Sequence, residues 1–214
     1  MKVLVTGSEG FVGKHLVKKL EEIGHSVEKI DLKLGTDILT SELPIVDKVI
    51  HLAAQTDAFC EAAAMDAEVN IMGTIRLLDK YGYNLVFASS TVINYKHCPY
   101  AISKTAADLY CKLYGANIVR FCNLYGEGGH SAIDKFREGD EINIRGDGTQ
   151  LRTYAPVEDA IKALIDMMEI DRFGMETILP GTDMSVLEVA AMFPDKKVNF
   201  VDPLKYDIAD GRQL

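Results

Sequence analysis

Apolar residues in this chain come as short dense runs, separated by longer stretches in which they recur every three or four positions. The runs at residues 2–6, 26–31, 46–51, 84–89 and 116–121 are rich in Val, Ile, Leu and Phe and read as buried strands. Helical spacing fills 11–23, about 58–80 and 100–114. The second of these helices is long, Ala-rich early and Leu-rich late, with Gly82 placed to stop it. Strands alternating with helices predict a parallel sheet with helices on both faces. From Glu127 the rhythm changes: a short helix (131–138), strands at about 141–145 and 150–154, a helix (157–170), a strand (175–179) and a helix (185–193). The pattern predicts an α/β, doubly wound parallel-sheet domain over residues 1–126, its sheet completed by parts of 150–180. A small C-terminal lobe over 127–214 is interleaved with the last sheet elements.

Composition narrows the classes. The chain has 214 residues, 48% of them apolar, enough for one sizeable α/β domain with a small lobe. No apolar run approaches the roughly 18 residues of a membrane span, and Met1 leads straight into the first strand, so neither a membrane nor a signal peptide is expected. The formal net charge of −9, without a basic tract, speaks against nucleic acid as a partner. The four cysteines, Cys60, Cys98, Cys111 and Cys122, have no metal-binding spacing and read as reduced thiols of a cytoplasmic protein. No metal site is expected.

The first strand ends in Gly7-Ser-Glu-Gly10-Phe-Val-Gly13, and a helix follows. A strand, a glycine turn and a helix N-terminus are what a dinucleotide pyrophosphate requires. Gly7 allows the tight turn, Gly10 lets backbone approach phosphate, and Gly13 lets the helix pack closely. The spacing is G-x-x-G-x-x-G, and a glycine turn also occurs as plain structure. The second strand ends at Asp31, whose carboxylate can accept both hydroxyls of an adenosine ribose and would repel a 2′-phosphate, favouring NAD over NADP. Lys33 weakens that preference slightly.

Farther along, Tyr100 and Lys104 lie four apart and share one helix face. A phenol with an ordinary pKa near 10 is a poor base at neutral pH. A nearby ammonium favours the phenolate, and such a pair can move a proton to or from a sugar or alcohol hydroxyl. Strand 84–89 runs into Ser89-Ser90-Thr91, hydroxyls at the strand end where this fold class binds ligands. Turn chemistry alone would also account for them.

Taken in order, these segments resemble the extended short-chain dehydrogenase/reductase family, the NAD-dependent nucleotide-sugar epimerases and dehydratases. The resemblance rests on Thr6-Gly7-x-x-Gly10-x-x-Gly13, Asp31, Asp37-Ile38, His51-Leu52-Ala53-Ala54, Asn70 with Gly73-Thr74, Ser89-Ser90, Tyr100-x-x-x-Lys104, Arg120-Phe-Cys-Asn123-Leu-Tyr-Gly126, and Gly146-Asp-Gly148-Thr-Gln-Leu-Arg152 leading to Val157-Glu-Asp159. It implies a Rossmann-type fold with a reduced substrate lobe, and NAD as cofactor. It places Gly7, Gly10, Phe11 and Val12 at the pyrophosphate, Asp31 at the ribose and Asp37 with Ile38 at the adenine. Leu52, Ala53, Ala54 and Asn70 line or fix the cofactor. Tyr100 becomes the acid/base, Lys104 its electrostatic partner and a holder of the nicotinamide ribose, and Ser90 the hydroxyl that polarises the substrate oxygen. Asn123 and Arg152 fall where the family grips the diphosphate of a nucleotide diphosphate sugar. A homodimer through helices 58–80 and 100–114 is implied, with Ala62, Ala63 and Ala64 against Ala106, Ala107 and Cys111, unless those small residues face the sheet. His51 reads as a buried structural histidine.

The chain departs from the family pattern in three places. Ser90 precedes Tyr100 by only ten residues, which leaves Ser90 and Thr91 as alternatives for the active hydroxyl, and Asn94-Tyr95 replaces the usual tyrosine-glycine. Thr91 and Val92 stand where dehydratases and decarboxylases carry acids, so elimination lacks its base. The chain is also short for the family. These features rank a 4-epimerase first, a keto-sugar reductase or dehydrogenase second, and a cofactor-binding module without turnover third.

Overall fold

A computed structural model of the chain describes residues 1–56, 63–94 and 98–202. The described chain divides into two compact units. The first comprises Met1–Phe121 and Glu158–Leu179; the second comprises Cys122–Val157 and the described residues from Pro180 on.

The first unit is built on a six-stranded sheet, β1 (Lys2–Thr6), β2 (Ser26–Ile30), β3 (Lys48–His51), β4 (Leu85–Ser90), β5 (Asn117–Phe121) and a late strand, Glu176–Ile178. All its pairs are parallel, and β1 has β2 on one side and β3 on the other. The sheet is therefore the expected parallel one, and the chain reverses its direction of winding between β1 and β3. Connections leaving the C-terminal ends of those two strands diverge and open a crevice, the place where such sheets bind ligands.

Alternation along the strands decides which helices cover which face. Leu4, Val49, Leu85, Phe87 and Ile118 join one core with Leu77 and Leu78 of α3 (Gly73–Tyr81) and Ala107 and Cys111 of α4 (Pro99–Tyr114). Val3, Val5, Ile50, Val86 and Val119 are also buried, and by the pleat they face the opposite side. The apolar stripe of α1 (Phe11–Glu22) is Leu16, Val17 and Leu20. Gly82, at φ 54°, ends α3 where the sequence places a stop. The long second helix is not regular: α2 (Ala63–Asp66) passes through a π-helical turn, Ala67–Met72, before α3. Such a turn rotates the residues beyond it and recurs at functional sites.

In the second unit, β6 (Asn123–Tyr125) pairs parallel with β8 (Leu151–Pro156), which pairs antiparallel with β10 (Thr182–Ser185). A second, two-stranded parallel sheet joins β7 (Glu141–Arg145) to β11 (Lys197–Val201). In this numbering the late strand of the first sheet, Glu176–Ile178, is β9. Two short helices, α5 (Ala132–Glu138) and α7 (Val186–Ala191), each start with a capping box, Ser131 with Asp134 and Ser185 with Glu188. They pack Ile133, Phe136, Val186, Val189 and Ala190 onto Ile142, Ile144 and Tyr154. The helix α6 (Val157–Glu169) carries the chain back to β9 in the first unit.

Candidate functional site

The turn after β1 is shaped by its glycines. Gly7 sits at φ +70°, and a Cβ there would lie 2.7 Å from the Ala53 backbone nitrogen. A Cβ on Gly13 would stand 2.1 Å from the Gly7 carbonyl oxygen, so α1 packs directly on the turn. Gly10 is the N-cap of α1, with no side-chain cap on that end. The first N–H groups of the helix, beginning with Phe11 and Val12, are thus left for an anion. Asp31 closes β2 next to this turn. Its carboxylate accepts from the Glu9 N–H and from the Lys33 N–H, both at 2.9 Å. The Lys33 ammonium donates to the Glu9 carbonyl at 3.2 Å. A glycine cradle that a Cβ would fill, a bare helix end and a carboxylate at the strand tip fit the diphosphate and ribose of a dinucleotide.

Two expected cofactor residues have structural duties. Ile38 is buried, and a Cβ on Gly73 would stand 2.4 Å from its Cδ1, so Ile38 fills the space that Gly73 leaves. Asp37 accepts from the Leu39 N–H at 2.8 Å and thereby closes its own turn. The segment Leu52–Ala54 follows β3. The Leu52 N–H donates to the Thr6 carbonyl at 3.1 Å, and the Ala53 N–H donates to Thr6 Oγ1 at 3.2 Å.

Behind that segment lies a buried polar chain whose direction can be worked out. Thr74 donates its hydroxyl to the Asn70 carbonyl at 2.6 Å, so towards His51 Nε2, 3.0 Å away, it must accept. Nε2 therefore carries the proton, and Nδ1 accepts from the Thr6 hydroxyl at 2.7 Å. Burial, helped by the Lys104 ammonium, drives the His51 pKa down to about 3, so the ring is neutral. His51 is the buried structural histidine that the sequence suggests. Asn70 is buried too. Its amide accepts from the Gln55 N–H at 2.8 Å and donates to the Gln55 carbonyl and to Ser103 Oγ, both at 2.9 Å. The Ser103 hydroxyl donates to the Tyr100 carbonyl at 2.9 Å. Asn70 thus ties the segment after β3 to the first turn of α4. The π-helical turn that aims it there carries no sequence signal.

Tyr100, Lys104 and Ser90 meet at the end of β4. The Ser90 oxygen accepts from the Val92 N–H at 3.2 Å, within the 3-10 turn Thr91–Asn94, and the Ser90 hydroxyl lies near enough to the Tyr100 phenol to favour its ionised form. Tyr100 packs on Val92, Cys98 and Ala101 and keeps part of its surface open, as a group that must meet a substrate requires. Burial pushes its pKa up to about 12; the Ser90 hydroxyl pulls the other way, and the Cys98 and Asp66 charges raise it. Lys104 is not among the groups that shift the phenol. The Lys104 ammonium instead donates to the Ala88 carbonyl at 2.7 Å and sits 4.0 Å from the centre of the Phe87 ring. Burial brings its own pKa down to about 8, against the opposing pull of Cys111 and Asp108.

Asn123 and Arg152 belong to the second unit, and both are half-buried. Asn123 Nδ2 donates to the Thr153 carbonyl at 3.0 Å, and the Arg152 guanidinium donates to the Leu151 carbonyl at 2.8 Å. Both lie in the same small sheet, on β6 and β8. Sequence reasoning overlooked Asp108, one turn beyond Lys104 on the same helix face and buried; the repeated spacing of four was its signal. Of the expected dimer residues, Ala107 and Cys111 are fully buried in the sheet core, the alternative in which these small residues face the sheet. Ala63 and Ala64 are exposed, while Ala62, Cys60 and Tyr95 lie outside the described residues. Among the described residues no helix is long and apolar enough to cross a membrane, and no group of His, Cys, Asp or Glu could hold a metal ion.

Comparison with known proteins adds the following. The sequence model of the NAD dependent epimerase/dehydratase family matches residues 3–177. A putative UDP-glucose 4-epimerase of Methanocaldococcus jannaschii is 32% identical over 217 residues, covering 75% of this chain and 71% of the relative. A dTDP-4-dehydro-6-deoxy-D-allose reductase of Streptomyces bikiniensis is 26% identical, covering 89% of this chain and 79% of its own length. Among solved structures, MoeE5 in complex with UDP-glucose and NAD superposes with a TM-score of 0.86 at 25% identity, covering 97% of this chain and 87% of that one.

Proposed function

The chain belongs to the NAD-dependent epimerase/dehydratase family, and from that premise we propose that it is a 4-epimerase acting on a nucleotide diphosphate sugar, with UDP-glucose the first substrate to test. The observation that carries this reading is the convergence of Ser90, Tyr100 and Lys104 on the end of β4. When bound, NAD supplies the hydride acceptor and donor. Tyr100 moves the proton at the sugar hydroxyl, and Ser90 steadies the same oxygen through its hydroxyl. Lys104 supplies positive charge beside that exchange. The turn of Gly7, Gly10, Phe11 and Val12 with Asp31 orients the cofactor, beside Leu52–Ala54 and the Asn70 clamp. Asn123 and Arg152 take the diphosphate, since a guanidinium fork matches phosphate oxygens. Val92 is buried and apolar, so water elimination has no carboxylate at that position.

A keto-sugar reductase is the second reading. The raised pKa of Tyr100 favours it, because a protonated phenol is the form that donates to a reduced carbonyl. The two readings separate in a pair of assays: purified protein with UDP-glucose and a trace of NAD, and purified protein with a nucleotide keto-sugar and NADH or NADPH. Interconversion with UDP-galactose and no net change in absorbance at the NADH band supports the epimerase. Consumption of NADH or NADPH in step with a keto-sugar replaces it with the reductase.

The reading includes a homodimer. Ile102, Leu109 and Leu113 form an exposed apolar line on α4, at 57%, 60% and 76% exposure, and Met65 and Met72 are exposed on the preceding helices. Apolar side chains at such spacing on adjacent helices suit a helix-on-helix interface. Light scattering at twice the monomer mass is the expected result. The free thiols Cys98, Cys111 and Cys122 support a cytoplasmic setting.

A further inference from the structure

Three residues of α4, spaced four apart, engage the last three residues of β4. Tyr100 bears on the Ser90 hydroxyl, Lys104 donates to the Ala88 carbonyl, and Asp108 accepts from Ser89 Oγ at 3.0 Å. The third contact is the most heavily braced. Asp108 is 2% exposed, and the guanidinium of Arg120, from β5, grips both its oxygens, Nε on Oδ2 at 3.1 Å and an Nη on Oδ1 at 2.8 Å. The same Arg120 group reaches Glu176 of β9 at 2.7 Å, and Lys112 reaches Glu176 at 3.1 Å. A buried carboxylate in a bidentate fork is a fixed point, because neither partner can turn without leaving the other unpaired.

Resting on the reading of Ser90, Tyr100 and Lys104 given above, we propose that Asp108, held by Arg120, is a positioning residue that sets the height of α4 against β4 and so presents Tyr100 to Ser90 and seats Lys104 beside it. A slide of α4 by a fraction of a turn would break the Lys104 and Asp108 bonds together and shift Tyr100 against Ser90, since the three residues share one face. Asp108 and Cys111 on its own helix favour the charged form of Lys104, Tyr100 shares its helix face, the neutral His51 lies on β3, and Arg120 on β5 acts on it through Asp108. Removing the carboxylate leaves Lys104 with less to hold its proton.

The test is Asp108→Asn in the full chain. Turnover should fall roughly tenfold to a hundredfold, with KM changed by less than about twofold. Nuclear magnetic resonance of protein labelled with carbon-13 lysine follows Lys104 directly, its signal assigned by loss in Lys104→Met. In Asp108→Asn that signal should titrate at a lower pH than in the wild type. A folded variant with wild-type turnover and wild-type Lys104 titration overturns the proposal. So does lost turnover with an unmoved titration, which would leave Asp108 a merely structural residue. If Asp108→Asn does not fold, Arg120→Lys, which keeps the charge and loses the fork, is judged by the same readouts. If the wild type turns over no nucleotide sugar, the epimerase reading fails, and the Lys104 titration still decides this proposal.

Discussion

The two units hold their functional side chains in opposite ways. In the first, each polar group of the site is buried or crowded and bonded across elements. His51 joins β1 to α3, Asn70 joins the segment after β3 to α4, and Lys104 joins α4 to β4. In the second, Asn123 and Arg152 are half-buried and donate to nearby strand carbonyls of their own small sheet. The contrast separates two tasks. Proton and hydride chemistry needs fixed geometry, and interlocked buried groups provide it. On the reading proposed above, Asn123 and Arg152 grip a diphosphate, for which loosely held side chains keep charge and reach.

Substitutions should therefore act on turnover or folding in the first unit and on KM in the second. The largest effect is expected for Tyr100→Phe. It should lower kcat by about 10² to 10⁴-fold, the span of a general acid/base, and leave NAD affinity by calorimetry and the melting temperature near wild type. A kcat within threefold of wild type would break the contrast at its centre.

Next comes Gly13→Ala. Its methyl would meet the Gly7 carbonyl at 2.1 Å, so the turn or α1 must move. Denaturant unfolding should show a loss of about 2–3 kcal/mol, as for an overpacked core, and NAD affinity should fall with it. The same change at Gly24, where nothing lies within 4 Å but φ is +88°, tests backbone strain without crowding.

Lys104→Met should inactivate the enzyme yet raise its stability at pH 7. The folded-state pKa is about 8 against the ordinary 10.5. Below pH 8 the folded state carries a buried charge and the penalty is complete. Between 8 and 10.5 the unfolded chain alone keeps the extra proton, so wild-type stability rises with pH and the penalty fades. The variant should melt several degrees higher at pH 7, a gain offset in part by about 1 kcal/mol for the lost bond to the Ala88 carbonyl. That advantage should shrink by pH 10. Equal melting curves at both values would show that Lys104 is not desolvated.

The smallest effect belongs to the second unit. Arg152→Ala should raise KM for the nucleotide sugar about tenfold, leave kcat within about twofold, and leave stability within about 0.5 kcal/mol. A fall in kcat without a rise in KM would move Arg152 to the chemical end and erase the distinction.

Much of the first unit was legible in the sequence, because its cues are local. Strand runs such as Val3–Val5, the glycine turn and the Gly82 stop each specify conformation within a few residues. What was not legible depends on contacts distant in sequence. The π-helical turn at Ala67–Met72 leaves no periodic trace, yet it directs Asn70 to Gln55 and Ser103. Asp108 acquires its partner only when β5 brings Arg120 to it. The roles of Tyr100 and Lys104 were suggested by spacing, but burial set the direction of their pKa values, and burial is a property of the assembled fold. In the second unit, β6, β10 and β11 went unforeseen because they are short and mix polar with apolar residues.

The most direct test of the account follows a deuterium atom at C4 of UDP-glucose through the reaction. The expected result is UDP-galactose that keeps its label at C4, formed over many turnovers without added NADH and lost in Tyr100→Phe. Label passed irreversibly into free NADH, or product formed equally well by Tyr100→Phe, would contradict it.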